Sequence, residues 1–153
     1  MILGIDTDVL ISWLVEVSPR HADARRLIES EVRERGGFIA LTPLVIQEFL
    51  HIVTDPKRFK EPLSMPEAIQ RIEAIWDSEE VVRLLPTAEV LSRTLELLAE
   101  LRLGRKRILD TALAATLEFA EVRRLATFNP SDFRIFDFLE LVDAPQSPRP
   151  RLV

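Results

Sequence analysis

The chain has no cysteine, and His21 and His51 are its only histidines among 153 residues. Disulfides and thiolate metal centres are therefore excluded, and a structural zinc site has too few ligands to form. No apolar run approaches the length of a membrane span, so no membrane association is expected. The amino-terminal stretch is apolar but carries Asp6, Asp8 and Glu16 and has no basic leader. It does not read as a signal peptide, and a cytoplasmic location is the expectation. A basic coat is also missing. Lys and Arg number 20 against 25 Asp and Glu, a formal net charge of −5, which argues against a protein that holds nucleic acid over a whole positive face. Repeats, low-complexity blocks and internal linkers are absent as well. What remains, 47% hydrophobic and 29% charged residues, is the make-up of one globular domain with a full core.

Residues 2–5 read as a short buried strand, and a helix follows from Thr7 to about Glu16. Ser18-Pro19 breaks the pattern before a charged amphipathic helix over about 20–35, closed by Gly36-Gly37. Phe38–Leu41 reads as the second strand. Pro43 suits the first turn of a helix running to about Val53, and residues 54–63 form a loop. Ser64-Met65-Pro66-Glu67 is a capping box, so a helix begins there and runs to about Asp77. Residues 81–85 are the third strand, Thr87 opens a helix to about Leu103, and another spans Ile108 to Glu121. Residues 124–127 form a fourth strand and 139–142 a fifth, before a proline-rich tail from Asp143 that reads as extended or disordered. Strands alternating with helices predict an α/β three-layer sandwich, with a short, mostly parallel sheet between helices.

Four acidic stations punctuate apolar sequence: Asp6 after Ile2–Ile5, Glu48 within Leu44–Leu50, Asp110 opening Ile108–Ala115, and Asp132 in Ala126–Phe133. Each has an ordinary explanation. Asp6 and Asp110 suit helix caps, Glu48 suits a polar helix stripe with Gln47 and His51, and Asp132 suits a turn. Ligands of such folds, however, gather beyond the carboxyl ends of strands. Asp6 and Asn129 lie just past predicted strand ends, and Glu48 and Asp110 near helix starts. Carboxylates brought together beside apolar residues need a partner, and a divalent hard cation, Mg²⁺ or Mn²⁺, supplies one. That combination points to phosphodiester hydrolysis. Thr7 and Thr127 are candidates to bind metal waters or phosphate oxygens. Basic residues gather at Lys57-Arg58-Phe59-Lys60 and at Arg102, Arg105, Lys106 and Arg107. The second group immediately precedes Asp110. It suits phosphate contact, and equally the end of a helix closed by Gly104.

In their order, these segments resemble the PIN-domain nucleases, and within them the VapC-like toxins of bacterial toxin–antitoxin pairs. Ile5–Ile11, Thr42–Phe49, Ile108–Ala115 and Ala126–Phe133 are similar to the four family motifs, and Thr54–Phe59 to a segment of one VapC subgroup. The resemblance runs over residues 1–142 as one PIN-like domain, with 143–153 as the tail. Asp8 stands where the family more often has asparagine or serine, and Asn129 where it often has aspartate. The resemblance implies a metal-dependent endoribonuclease in which Asp6, Glu48 and Asp110 hold Mg²⁺ or Mn²⁺, with Asp132 or Asn129 as a further ligand. It implies an RNA substrate, a small cognate antitoxin and a homodimer. The apolar first helix, with Leu10, Ile11, Trp13, Leu14 and Val15, suits an interface or the core. Two alternatives stand beside this reading. One is a PIN-like module that binds RNA or protein without cutting. The other is a haloacid-dehalogenase-type phosphatase, for which Asp6-Thr7-Asp8 has the nucleophile spacing but Leu10 and the lack of a late pair of adjacent acids fit poorly.

Overall fold

The structure, a computed structural model, describes residues 1–143; the proline-rich tail beyond them lies outside the described residues. The strands are β1 (Ile2–Ile5), β2 (Phe38–Leu41), β3 (Val81–Arg83), β4 (Arg124–Ala126) and β5 (Glu140–Val142). The α-helices are α1 (Thr7–Leu14), α2 (His21–Glu29), α3 (Pro43–Val53), α4 (Met65–Trp76), α5 (Ala88–Glu100) and α6 (Ile108–Phe119). The sheet has the order β3-β2-β1-β4-β5 and every pairing is parallel. The chain steps from β1 outward to β3, then returns to the other side of β1 for β4 and β5. With right-handed crossovers, α1–α4 cover one face and α5–α6 the other. This is the expected three-layer sandwich, with a sheet that is parallel throughout. Among the described residues, no helix is long and apolar enough to cross a membrane.

Local chemistry starts the helices where the sequence predicts. Thr42 and Thr87 accept from the backbone N–H groups of Val45 and Val90, each at 3.2 Å. Ser64 and Glu67 form the full capping box at the head of α4, which satisfies two otherwise orphaned donors. The core joins β1, β2 and β4 to the helices through Leu3, Ile5, Ile39, Leu41, Phe49, Leu117 and Leu125, all 1% exposed or less. Burying a side chain such as Phe49 stabilises by roughly 1.5–3 kcal/mol. The apolar α1 belongs to this core: Val9, Leu10, Ile11 and Val15 are buried, with Trp13 and Leu14 packed against them.

Several boundaries depart from expectation. The predicted helix over 20–35 is α2 followed by a five-residue π-turn, Ser30–Glu34, in which the Arg35 N–H reaches back to the Ser30 carbonyl at 3.1 Å. The wider turn accompanies a buried ion pair: Glu31, 4% exposed, accepts two bonds from Arg124 at 2.7 and 2.9 Å. Strand β3 ends at Arg83 instead of Leu85, because Leu85 leaves the sheet ahead of Pro86. Gly104 does not close α5. That helix ends at Glu100, and Arg102 takes the left-handed conformation at φ 51°. Leu103 N–H bonds to the Leu98 carbonyl at 3.0 Å, as a Schellman closure requires. Glu121, at φ 57°, closes α6 in the same way.

Candidate active site

The direction of chain progression reverses between β1 and β4, and open parallel sheets bind ligands at the carboxyl ends of strands flanking such a switch. Asp6 follows β1 and Thr127 follows β4 at this point. Asp6 is the N-cap of α1, its Oδ1 accepting from Thr7 N–H at 2.7 Å. Its Oδ2 accepts from the Thr127 hydroxyl at 3.0 Å, and Thr127 Oγ1 accepts from Asn129 N–H at 3.0 Å. The Asn129 side-chain amide in turn donates to Asp8. The cap expected of an ordinary aspartate and the placement expected of a functional one are thus the same residue.

Glu48 is half-buried in the second turn of α3, not at its start. Asp110 is in the first turn of α6. Asp132 ends a 3₁₀ turn, Pro130–Asp132, that follows Asn129. These acids sense one another. Burial pushes the Asp6 carboxyl up to about 7, with the charges of Asp8 and Asp110 adding to the effect against the hydrogen bonds from Thr127 and Thr7. Burial raises Glu48 as well, helped by Asp110 and Asp8. It also raises Asp110, helped by Asp132 and Asp8, while Arg107 acts the other way. Desolvation and like charge both disfavour the anions, so the three central carboxylates form one electrostatic unit.

Among the described residues, no three acidic or imidazole side chains stand close enough to chelate an ion as they are placed. The donor set nonetheless fits a hard divalent cation: it is all oxygen, it carries excess negative charge, and its basicity is raised. The buried Thr7 hydroxyl strengthens the fit. It lies beside Glu48, close enough to favour that residue's charged form, yet makes no hydrogen bond of regular geometry. A buried polar group left without such a partner marks a place for a ligand or a bound water.

The basic residues divide. Arg105 and Lys106 are exposed on a 3₁₀ turn, Arg105–Arg107, that leads into α6. Arg107 turns inward, with Nε 3.8 Å from Asp110 Oδ2 and its guanidinium donating to the Asp132 carbonyl. It therefore ties the head of α6 to the loop after β4. The Lys57–Lys60 group follows the far end of α3 from Pro43 and is not brought to the strand ends. Two participants escaped the sequence reading. One is the contact between Asp8 and Asn129, 121 positions apart. The other is Arg20, whose guanidinium lies 3.7 Å over the ring of Phe128, next to Thr127. No spacing signal exists for contacts so distant in sequence.

A parallel α/β sandwich with a group of acids at its switch point is a class shared by several hydrolytic folds. Comparison with known proteins narrows it. The PIN domain family model matches residues 4–139. The protein named Ribonuclease VapC24 from Mycobacterium tuberculosis is 31% identical over 142 residues, covering 92% of this chain and 95% of that protein. Among solved structures, Mycobacterium tuberculosis VapC20, described as a Sarcin-Ricin loop cleaving toxin, superposes with a TM-score of 0.69 at 15% identity, over 87% of this chain and 94% of that one. VapBC2 from Rickettsia felis, bound to a DNA fragment from its promoter, gives 0.67 at 17% identity, over 95% and 100%. The chain belongs to the PIN-domain family. The family assignment displaces the phosphatase alternative.

Proposed function

We propose that this protein is a divalent-metal-dependent endoribonuclease, the toxin of a VapBC-like toxin–antitoxin pair. The observation that carries this is its 31% identity, over 92% of the chain, to a protein named as a ribonuclease. The acid unit at the switch point supplies the chemistry that such an activity needs. Asp6, Glu48 and Asp110 would hold Mg²⁺ or Mn²⁺, with Asp132 and Asn129 at the rim. The ion, when bound, supplies a Lewis acid for a water and a phosphate oxygen.

The protein's own residues do the rest. Thr7 N–H and Thr127 Oγ1 orient Asp6 through one oxygen each. The Thr7 hydroxyl, without a regular protein partner, accepts or donates to water or phosphate. Arg105 and Lys106 meet the RNA backbone at the head of α6, while Arg107 holds Asp110 and the Asp132 loop in register. A small antitoxin and a second copy of the chain are the partners this reading assigns. The test is cleavage of a structured RNA by purified protein, free of any bound inhibitor, with Mg²⁺ or Mn²⁺ and with EDTA. Equal cleavage in EDTA would sink the metal mechanism.

One observation favours the non-cutting alternative: the acids do not form a chelating set as placed. Calorimetric titration with Mn²⁺ separates the two readings, since a binding module without metal gives no heat.

A further inference from the structure

The central strand β1 carries a glycine, Gly4, inside its four residues. Glycine weakens a strand, and in that setting it often marks the close approach of another element. The backbone at Gly4 is not left-handed, so conformation does not call for glycine there. Space does. A Cβ added to Gly4 would lie 2.8 and 3.0 Å from the two terminal methyl carbons of Leu117 on α6, and 3.3 Å from the Arg124 carbonyl oxygen on β4. Carbon atoms in ordinary contact stand about 3.5–4.0 Å apart. We propose that Gly4 is a positioning residue: by letting α6 seat directly on β1, it sets the separation between Asp6 and Asp110, the acids that these two elements carry. This rests on the metal-dependent reading above and concerns how its site is spaced, not what ligates the ion.

Register joins the contact to the site. Residues two apart in an extended chain face the same side, and the backbone stays extended through Asp6, at φ −76° and ψ 159°. Gly4 and Asp6 therefore share one side of β1. On α6, Asp110, Ala114 and Leu117 follow the i, i+4, i+7 spacing and share one face. Ala114 and Leu117 are both 0% exposed. The tight contact thus lies two residues before Asp6 on the strand and two turns after Asp110 on the helix. Leu117 is closely surrounded, and a packed interior leaves a leucine little room to turn aside. Retreat of β1 sideways is stopped by β4, where Gly4 pairs with Leu125. An added methyl therefore moves α6, and Asp110 with it, away from Asp6. The acids do not form a chelating set as placed, so such a wedge widens the gap that a cation has to close. A smaller side chain at 117 would make room for a larger one at 4. The spacing accordingly belongs to the pair and not to the glycine alone.

A pair predicts compensation. The full-length parent, Gly4→Ala, Gly4→Ala/Leu117→Val and Ile72→Ala are compared at a temperature where each is folded. Mn²⁺ affinity is read by calorimetry, kcat and KM on one structured RNA, and melting with and without Mn²⁺. Gly4→Ala should lower kcat about 10- to 100-fold with KM little changed, and weaken Mn²⁺ binding about tenfold. Valine ends one carbon short of the crowded leucine methyls, so the double variant should recover both values to within about threefold. Ile72→Ala truncates the core on α4, which carries none of the acids of the site. It should melt lower than the parent and keep the parent kcat and Mn²⁺ affinity. Should Gly4→Ala alone fail to fold, a folded double variant with parent values supports the spacing, and one without them overturns it. A folded Gly4→Ala with parent kcat and Mn²⁺ affinity, a double variant no better than Gly4→Ala, or an equal loss in Ile72→Ala overturns this inference and leaves the metal-dependent reading intact. A parent that binds no Mn²⁺ and cleaves equally in EDTA overturns both.

Discussion

The Thr127 hydroxyl donates to Asp6 Oδ2 at 3.0 Å and so ties the ends of the two central strands together. That bond favours the ionised carboxylate, as does the N–H of Thr7. Burial and the neighbouring charges outweigh both, and Asp6 stands at about 7. A buried carboxylate whose charged form is disfavoured in this way costs stability, and functional sites are commonly built against stability.

The first prediction follows. Asp6→Asn should abolish cleavage and stabilise the metal-free protein by about 1–3 kcal/mol at neutral pH, allowing for solvent screening of a raised pKa. Well below pH 3.8, Asp6 is neutral both folded and unfolded, so parent and variant should differ little in this respect. As pH rises towards about 7, the unfolded chain ionises while the folded one resists. Parent stability is lost over that interval, and the variant escapes the loss. Melting in EDTA across this range measures it. A variant that melts several degrees below the parent would mean that Asp6 acts mainly as a cap.

The second concerns metal and protons. Asp6 stands at about 7, and Glu48 and Asp110 are raised as well, so a cation must displace the proton of Asp6 near and below neutrality. Mn²⁺ binding should weaken as pH falls below about 7, and its apparent enthalpy should depend on the ionisation heat of the buffer. An enthalpy independent of buffer at pH 6.5 would show that no proton leaves, contrary to the acid unit described here.

Much of the fold is legible in the sequence because local chemistry and global packing agree. Thr42-Pro43 and the Ser64/Glu67 capping box place helix starts without reference to the rest of the chain. The order of the four acids carries the resemblance on which the candidate site is proposed. What escapes depends on distant partners. Arg124 draws in Glu31 from 93 positions away, and a π-turn stands where amphipathic periodicity predicts plain helix. α5 and α6 close on Arg102 and Glu121 in the left-handed region, where glycine is the usual signal, so Gly104 misleads. The Asp8–Asn129 contact joins residues 121 positions apart, and nothing local to either signals it.

The third prediction assigns the surface of the proposed homodimer. With α1 consumed by the core, α5 and the head of α6 carry a cluster of exposed apolar side chains. Leu91 and Leu95, one helical turn apart on α5, are 60% and 58% exposed, and Ile108 and Leu109 begin α6. Leu91 lines a groove with Leu84, Pro86, Ile108 and Ala112. Large exposed apolar patches mark interaction surfaces. The parent should scatter light as a dimer at micromolar concentration, and Leu91→Glu/Leu95→Glu as a folded monomer. A monomeric parent, or a double variant that stays dimeric, counts against this surface.

The last prediction separates stability from chemistry. Glu31 accepts from Arg124 through both oxygens and from Arg35 at 3.2 Å, which holds its carboxyl below the usual range, with the Arg124 bond as the main cause. Glu31→Gln takes the main counter-charge from the largely buried Arg124 and leaves it the weaker one of Glu140, and breaking a buried pair in this way costs about 3–5 kcal/mol. The pH dependence has the opposite sign to that of Asp6. The contribution of Glu31 is present above its unfolded pKa, near 4.5, and is lost as pH falls through its lowered folded value. The melting gap between parent and Glu31→Gln should therefore be widest at neutral pH and close in acid, where the Asp6→Asn gap also closes but from the other side. Cleavage by the folded variant should stay near the parent rate, because Arg124 opens β4 while Thr127 follows its other end. Loss of cleavage in a variant that remains folded at the assay temperature would mean that the ion pair reaches the crevice through the length of the strand, and that the two ends of the sheet are not independent.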